Sequence, residues 1–451
     1  MAVVASSTKC IGAPILRSDL DSALKRIKNA SRFFPIASEG LISTESCVVP
    51  LTKSPFRFED LNGLEYFGKE PGLVCMNNSS KVCTTPFSSL VPSLLNVSMH
   101  DSHGQPLFGP PPMRPFVREG VYYSPYNIAL KKISHENSSL DTQVLNTVMD
   151  RICARFIGRG FSVSPLSFDT AINGLRETTA RRINVTTSGG YGYPGKKSDY
   201  LEIAYEDEEL LYREPISDLK IRLVECIKHC ELGNTNNFVF VAHLKDEARP
   251  MSKNKVGKTR VFYAAATDYL VLARMFIYPL YLSIIERSDL FCTAVGINMH
   301  SCNDLATRML SFSKDFMEGD YGSYDQTTPF DIRRASQTIL YRYAEECGYN
   351  GASLQILSSL LTDALFPFVS MNKDLFRACG LQPSGKLGTA EDNSINGLVL
   401  LMYYWHTFTN DDFFANVLPV TYGDDVVAAI KPRAKSIMNN VDYSKFCEKI
   451  Y

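Results

Sequence analysis

Val420-Thr421-Tyr422-Gly423-Asp424-Asp425-Val426-Val427 sets two adjacent carboxylates on a tight turn between two short runs of β-branched residues. The pattern predicts a hairpin with acids at its tip. Flanking alternation buries one face of each strand, and a Gly just before the acids lets the backbone turn sharply and approach a ligand. Side-by-side carboxylates repel. A divalent cation removes the conflict, since Mg²⁺ takes oxygen ligands and completes its shell with water and substrate phosphates. Taken alone, the tetrapeptide reads equally well as a solvated Asp-Asp turn, so the surrounding chain decides.

Upstream, Asp315-Phe316-Met317-Glu318-Gly319-Asp320-Tyr321-Gly322-Ser323-Tyr324-Asp325 ends an apolar-alternating run with an acid and repeats an acid five residues on. Asp320 at such a strand end would point into the same space as Asp424. Between the two lies Gly380-Leu381-Gln382-Pro383-Ser384-Gly385-Lys386-Leu387-Gly388-Thr389-Ala390-Glu391-Asp392-Asn393, a Gly/Pro/Ser loop that runs into an apolar helix from Ser394 to about Phe408. A flexible loop opening a helix suits backbone contact with nucleic acid or phosphate. Farther upstream, Lys245 to Arg260 holds six basic residues against two acids in sixteen positions, a strip able to neutralise a triphosphate.

These segments, in this order, resemble motifs F, A, B and C of the RNA-dependent RNA polymerases of picornavirus-like positive-strand RNA viruses. Thr187-Ser188-Gly189-Gly190-Tyr191-Gly192-Tyr193-Pro194-Gly195 resembles motif G, the loop that guides template into the channel. The resemblance is specific from about Thr187 to Asp425, and loose from Lys81 to Phe116. It implies an α+β right-hand polymerase fold: fingers, and a palm with a four-stranded antiparallel sheet backed by helices. The implied division is 1–80 as an N-terminal extension or upstream polyprotein remnant and 81–313 as fingers. Residues 314–330 would be palm with motif A, 331–379 a helical insertion, and 380–451 palm with motifs B, C and the start of D. The thumb is expected to be largely absent and the sequence partial, with the motif D general acid beyond Tyr451; Lys445 and Lys449 precede its place.

The implied activity is template-directed addition of ribonucleoside triphosphates to an RNA 3′ end by two-metal catalysis, the isolated fragment being inactive in processive synthesis. Asp320, Asp424 and, as an accessory, Asp425 form the expected catalytic and metal-binding set, with Mg²⁺ as cofactor and Mn²⁺ as substitute. Asp325 and Asn393 match positions that exchange hydrogen bonds with the ribose 2′-hydroxyl. Ser384 and Gly385 match a mobile loop. Thr389 joins the nucleotide group, with a hydroxyl that bonds its own backbone as the alternative. Arg260 is the first choice over the triphosphate because a planar fork binds phosphate bidentately, and Lys245 is second. Lys258 lies on the same expected strand, and Glu247 is spaced to hold Arg249. Thr187, Ser188, Gly189, Lys253 and Lys255 are expected along the RNA template path. Implied partners are RNA template and primer, ribonucleoside triphosphates, a protein primer and other viral replication proteins, at membrane-associated replication complexes in the host cytoplasm. A reverse transcriptase-like enzyme and a non-catalytic RNA-binding fragment are the rival readings.

Composition fits a multi-domain enzyme: 451 residues, net charge −1 and twelve scattered cysteines. A neutral chain requires a local positive field, from Lys245 to Arg260 with Lys196 and Lys197 beside the motif G-like loop. Glu206-Asp207-Glu208-Glu209 reads as a solvated helix start on the outer surface. Cys226-Ile227-Lys228-His229-Cys230 is the one cluster of zinc-type ligands and falls in a helical pattern, so zinc is a minor alternative there. No run reaches eighteen apolar residues and no clean leader opens the chain. Helices are expected at 21–33, 140–156, 217–231, 268–285, 329–346 and 433–450, a strand at 238–244, and a stiff crossing between lobes at 109–115.

Overall fold

The computed structural model describes residues 62–69 and 79–451, apart from 86, 96, 135–137, 176–179, 208–209, 299, 301 and 373. The helix expected at 21–33 lies outside them. In chain order the main elements are β1 (Leu64–Lys69), α1 (Pro125–Ile133), α2 (Thr142–Cys153), α3 (Ser217–Glu231), β2 (Val239–Leu244), β3 (Val261–Ala264), α4 (Thr267–Phe276) and α5 (Tyr278–Glu286). There follow β4 (Phe316–Gly319), α6 (Phe330–Glu346), α7 (Gly351–Leu365), β5 (Phe368–Met371), β6 (Asp374–Ala378), α8 (Thr389–Phe408), β7 (Val417–Tyr422), β8 (Asp425–Ile430) and α9 (Asn440–Ile450).

The hairpin β7–β8 forms as its alternation predicts, and β4 adds to it in the order β4-β8-β7, antiparallel throughout. The expected palm sheet of four strands is therefore one of three among the described residues. Its β7 edge is met only by an isolated bridge between Thr293 and Thr421, too short to count as a strand. Behind the sheet, α8 packs on β7 and against α2 and α6. Asp392 to His406 of α8 are buried without interruption, as expected of a helix apolar on all sides.

A second, five-stranded sheet runs β1-β6-β5-β2-β3, with β5 and β2 parallel and the other pairs antiparallel. Two expectations change here. Leu64–Lys69, inside the presumed N-terminal extension, pairs with β6, and the presumed helical insertion at 331–379 supplies the hairpin β5–β6 as well as two helices. The antiparallel partners Met371 and Asp374 stand three positions apart in sequence, whereas the parallel β2–β5 pair is bridged by more than a hundred residues, so its partner could not be read locally.

Three helical expectations also shift. The helix at 268–285 is two, bent by 49°, because Pro279 has no N–H to donate and its ring crowds the preceding turn. At 433–450, Pro432–Ala434 is a single 3₁₀ turn, and the helix begins only at Asn440, where the Asn439 side chain accepts from the Asp442 amide at 3.0 Å. Glu206 and Asp207 close a strand, Leu201–Asp207, paired with Leu210–Pro215 rather than opening a helix. Among the described residues no single helix is long and apolar enough to cross a membrane.

Strand β2, which leads into the basic strip, is held at its start by Asp363 of α7. That carboxylate, 2% exposed, accepts the amides of Asn236 and Asn237 at 3.0 and 2.8 Å. Asp363→Ala orphans two buried donors and is expected to destabilise the fold by about 3 kcal/mol, with Asp363→Asn losing less. Urea unfolding of the variants tests this; an Ala variant within experimental error of wild type would refute it.

Candidate active site

Register brings the acids together. Gly319 pairs with Val426, so the next residue, Asp320, comes level with Asp425 at the hairpin tip. The tip is a two-residue loop, Gly423-Asp424, closed by the Tyr422–Asp425 pair. Gly423 has φ +63, as the first loop position of a type II′ turn requires. Its amide donates to Ser394 Oγ at 2.9 Å, which ties the tip to α8. Burial raises the Asp424 carboxyl above its ordinary range, and the like charges of Asp425 and Asp320 raise it further, against an opposing pull from Arg260.

A cavity of about 820 Å³ opens in front of these acids. Asp320, Asp325 and Asp424 stand on one side, Ser384 and Gly385 at the loop, and Lys245, Arg249, Lys253, Lys258 and Arg260 on the other. Glu247 organises the basic wall: it pairs with Lys245 at 2.9 Å, Arg260 at 3.3 Å and Arg249 at 3.8 Å. The expected Glu247–Arg249 pair thus forms, within a larger cluster. Lys258 and Arg260 precede β3 instead of lying on it. Thr259 donates to the Pro112 carbonyl at 2.7 Å and Asn254 to those of Gly109 and Pro110, so the Pro-rich crossing is stitched to the back of this wall.

Behind Asp325, and itself outside the cavity's lining, Asn393 donates through Nδ2 to Asp325 Oδ1 at 2.6 Å. Burial raises the Asp325 carboxyl, while Asn393, Arg333 and Lys386 pull it down. Asn393 Oδ1 and Ser384 Oγ are buried with no protein partner among the described residues. Such groups are rare unless a ligand or water meets them. Gly385 donates to the Tyr263 carbonyl at 3.0 Å, and a Cβ there would lie 2.4 Å from that oxygen. Only Gly lets the loop touch β3 so closely.

Several expected residues stand elsewhere. The Thr389 hydroxyl donates to the carbonyls of Pro383 and Lys386 at 3.2 and 3.3 Å, so it holds the loop rather than lining the cavity. Lys255 is exposed away from it. Thr187, Ser188 and Gly189 also lie outside its lining: Lys197, 7% exposed, donates to Thr187 Oγ1 and the Ser188 carbonyl, while the Gly189 carbonyl receives Thr267. Lys197 is thus spent inside the loop, contributing little to an external field. Cys226 and Cys230 are fully buried on α3, Cys230 Sγ accepting from Asn236. Among the described residues no three His, Cys, Asp or Glu side chains enclose a metal position by themselves. The hairpin acids form an open, oxygen-only edge, the kind that suits Mg²⁺, which keeps water and substrate ligands.

Among the lining residues the sequence did not single out is a cation: Lys132 of α1 reaches Ser323 Oγ at 3.3 Å and joins the basic wall. Burial lowers its pKa, and Lys258, Arg249, Lys253 and Arg260 lower it further. It lies over a hundred positions from the strip, and α1 reads as an ordinary amphipathic helix with Lys131 and Lys132 in its last turn.

The chain matches the family "Viral RNA-dependent RNA polymerase" over residues 103–445. It belongs to that family. It is similar to a replicase polyprotein of Drosophila C virus, with 24% identity over 91% of this chain and 25% of the polyprotein. It is also similar to a genome polyprotein of human hepatitis A virus, with 28% identity over 58% of the chain and 12% of the polyprotein. The chain thus spans a quarter or less of the length of these relatives. A solved structure, the Sicinivirus 3Dpol RNA dependent RNA polymerase, superposes with a TM-score of 0.64 and 18% identity, covering 76% of this chain and 68% of that one. The fold is therefore that of a picornavirus-like right-hand polymerase.

The raised Asp424 carboxyl has a thermodynamic sign. Its folded pKa exceeds the unfolded value, so between the two the folded state binds more protons, and stability falls as pH rises through that window. Asp424→Asn should raise the Tm at pH 7 in EDTA, with the gain shrinking as pH falls through the carboxylate range. A Tm difference independent of pH would show that the acids do not repel in the metal-free protein.

Proposed function

We propose that the chain carries the catalytic centre for adding ribonucleoside triphosphates to an RNA 3′ end under template direction. The observation that supports this best is a single cavity with carboxylates Asp320 and Asp424 on one wall and the Lys245–Arg260 strip on the other. A triphosphate laid across it would meet the basic wall with its phosphates, while its sugar reached the Asp325–Asn393 pair. Bound Mg²⁺, or Mn²⁺ in its place, held by Asp320 and Asp424 with Asp425 as accessory, would supply activation of the 3′-oxygen and charge neutralisation of the leaving pyrophosphate.

The remaining work falls to the chain's own groups. Arg260 and Arg249, splayed around Glu247, would grip phosphate oxygens bidentately, with Lys245, Lys258 and Lys132 adding charge. Asn393 Oδ1 and Ser384 Oγ offer unfilled hydrogen-bonding capacity where the 2′-hydroxyl would lie, which favours a ribonucleotide over a reverse transcriptase-like substrate. Lys253 and Lys255, with the loop at Thr187 to Gly189, would contact template. Residues 81–313 would serve as fingers, with the β4-β8-β7 sheet as palm. RNA template and primer, a protein primer, other viral replication proteins and host membrane-associated complexes belong to this same reading.

Asp320→Asn or Asp424→Asn in the intact polymerase is expected to lower nucleotide addition by on the order of 10³-fold while RNA binding stays near wild type. Substantial residual synthesis by Asp424→Asn would sink the assignment. Asn393→Ala should narrow the kcat/KM preference for UTP over dUTP by roughly tenfold, the worth of one well-placed hydrogen bond. An unchanged ratio would place sugar discrimination elsewhere.

A further inference from the structure

Beneath the cavity, and lining none of it, five polar side chains form a connected network. The Lys386 ammonium pairs with the Asp392 carboxylate, each side chain 2% exposed. Asp392 Oδ1 also accepts from the Tyr281 hydroxyl at 2.5 Å, and Oδ2 from Gln382 Nε2 at 3.2 Å. Arg333 of α6, 1% exposed, donates to Gln382 Oε1, and the Gln382 amide donates to the Asp325 carbonyl at 2.8 Å. The network therefore joins α5, α6 and α8 to the loop that presents Ser384 and Gly385.

Its position in the sequence matters. Lys386 follows Gly385, and Asp392 immediately precedes Asn393 on α8, so the ion pair spans from the loop's end to the residue beside the sugar-reading amide. The loop it spans is permissive: it contains Gly385 and Gly388, the latter at φ +77 with its α-carbon against the Tyr281 ring. A buried ion pair seldom stabilises a fold beyond what apolar side chains of equal size would give, and its attested use is to select one arrangement among several. We infer that Lys386 and Asp392 are positioning residues: their buried pair, extended through Gln382 and Arg333, clamps the loop so that Ser384 Oγ and Asn393 Oδ1 converge on a ribose. This rests on the nucleotide-polymerising reading and deepens it.

The test is the double variant Lys386→Met/Asp392→Leu in the intact polymerase, which removes both charges together and so leaves no buried ion unpaired. It is expected to keep its Tm within a few degrees, yet to lose at least tenfold of the UTP over dUTP preference through a raised KM for UTP, with a smaller change in kcat. Lys386→Arg, which keeps the charge, should retain most of the preference. A folded double variant with wild-type preference overturns the inference. If the double variant does not fold, Tyr281→Phe replaces it, removing one hydrogen bond to Asp392: a several-fold loss of preference supports the clamp and an unchanged ratio overturns it. Hydrogen exchange at the Gln382 and Gly385 amides needs no nucleotide. Exchange at least tenfold faster in the variant supports the clamp and unchanged exchange overturns it, even where wild type incorporates nothing and the polymerase reading itself has failed.

Discussion

Everything at the cavity depends on one strand register, the pairing of Gly319 with Val426. Side chains alternate faces along a strand, so a slip of one residue would turn Asp320 to the opposite face and away from Asp424. What holds the register is burial of alternate residues, Met317 on β4 against Val426 and Ala428 on β8. The apolar face thus positions charges it never touches. The hairpin contributes the other half: Gly423 allows a two-residue loop, and a longer one would leave Asp424 free to drift from its neighbours.

The second constraint is electrostatic. Acids gathered on one wall repel, and cations gathered on the other repel as well. Glu247 relieves the basic wall by pairing with three cations, and each of those cations keeps donors available for phosphate. Of the carboxylates, Asp424 is raised first by burial and then by Asp425 and Asp320, with Arg260 opposing, while Asp325, also raised by burial, is drawn down by Asn393, Arg333 and Lys386. On the proposed reading, metal and nucleotide would each cancel the charge that opposes the other.

Much of this was legible in the sequence because the informative segments are local. The hairpin needs only alternation and a Gly, the long helix α8 only its apolar run, and the basic strip only a count of charges. What escaped needed long-range information. Lys132 looks like any basic residue in a helix's last turn until α1 is folded against the cavity. The β2–β5 pair joins strands far apart in sequence, and β1 finds its partner more than three hundred residues away. Thr389 and Lys197 stand apart from the cavity for a different reason. Both are polar residues beside plausible ligand-binding loops, and in each case the loop itself consumes their hydrogen bonds.

The cavity walls are not independent parts. Gly385 touches the Tyr263 carbonyl on β3, the strand the basic strip feeds, and the Gln382 amide touches the Asp325 carbonyl just beyond β4. One short loop is therefore bonded to both the cationic wall and the acidic one. The contact with Tyr263 leaves no room for a Cβ, so a larger residue at 385 would push the loop off β3. Movement of the loop away from β3 would break that bond, so loop and strand are tied through the backbone at this point. On the proposed reading, a site built this way would couple the grip on the phosphates to the reading of the sugar through the backbone of a single segment, and the residues buried beneath that segment would gain influence over both.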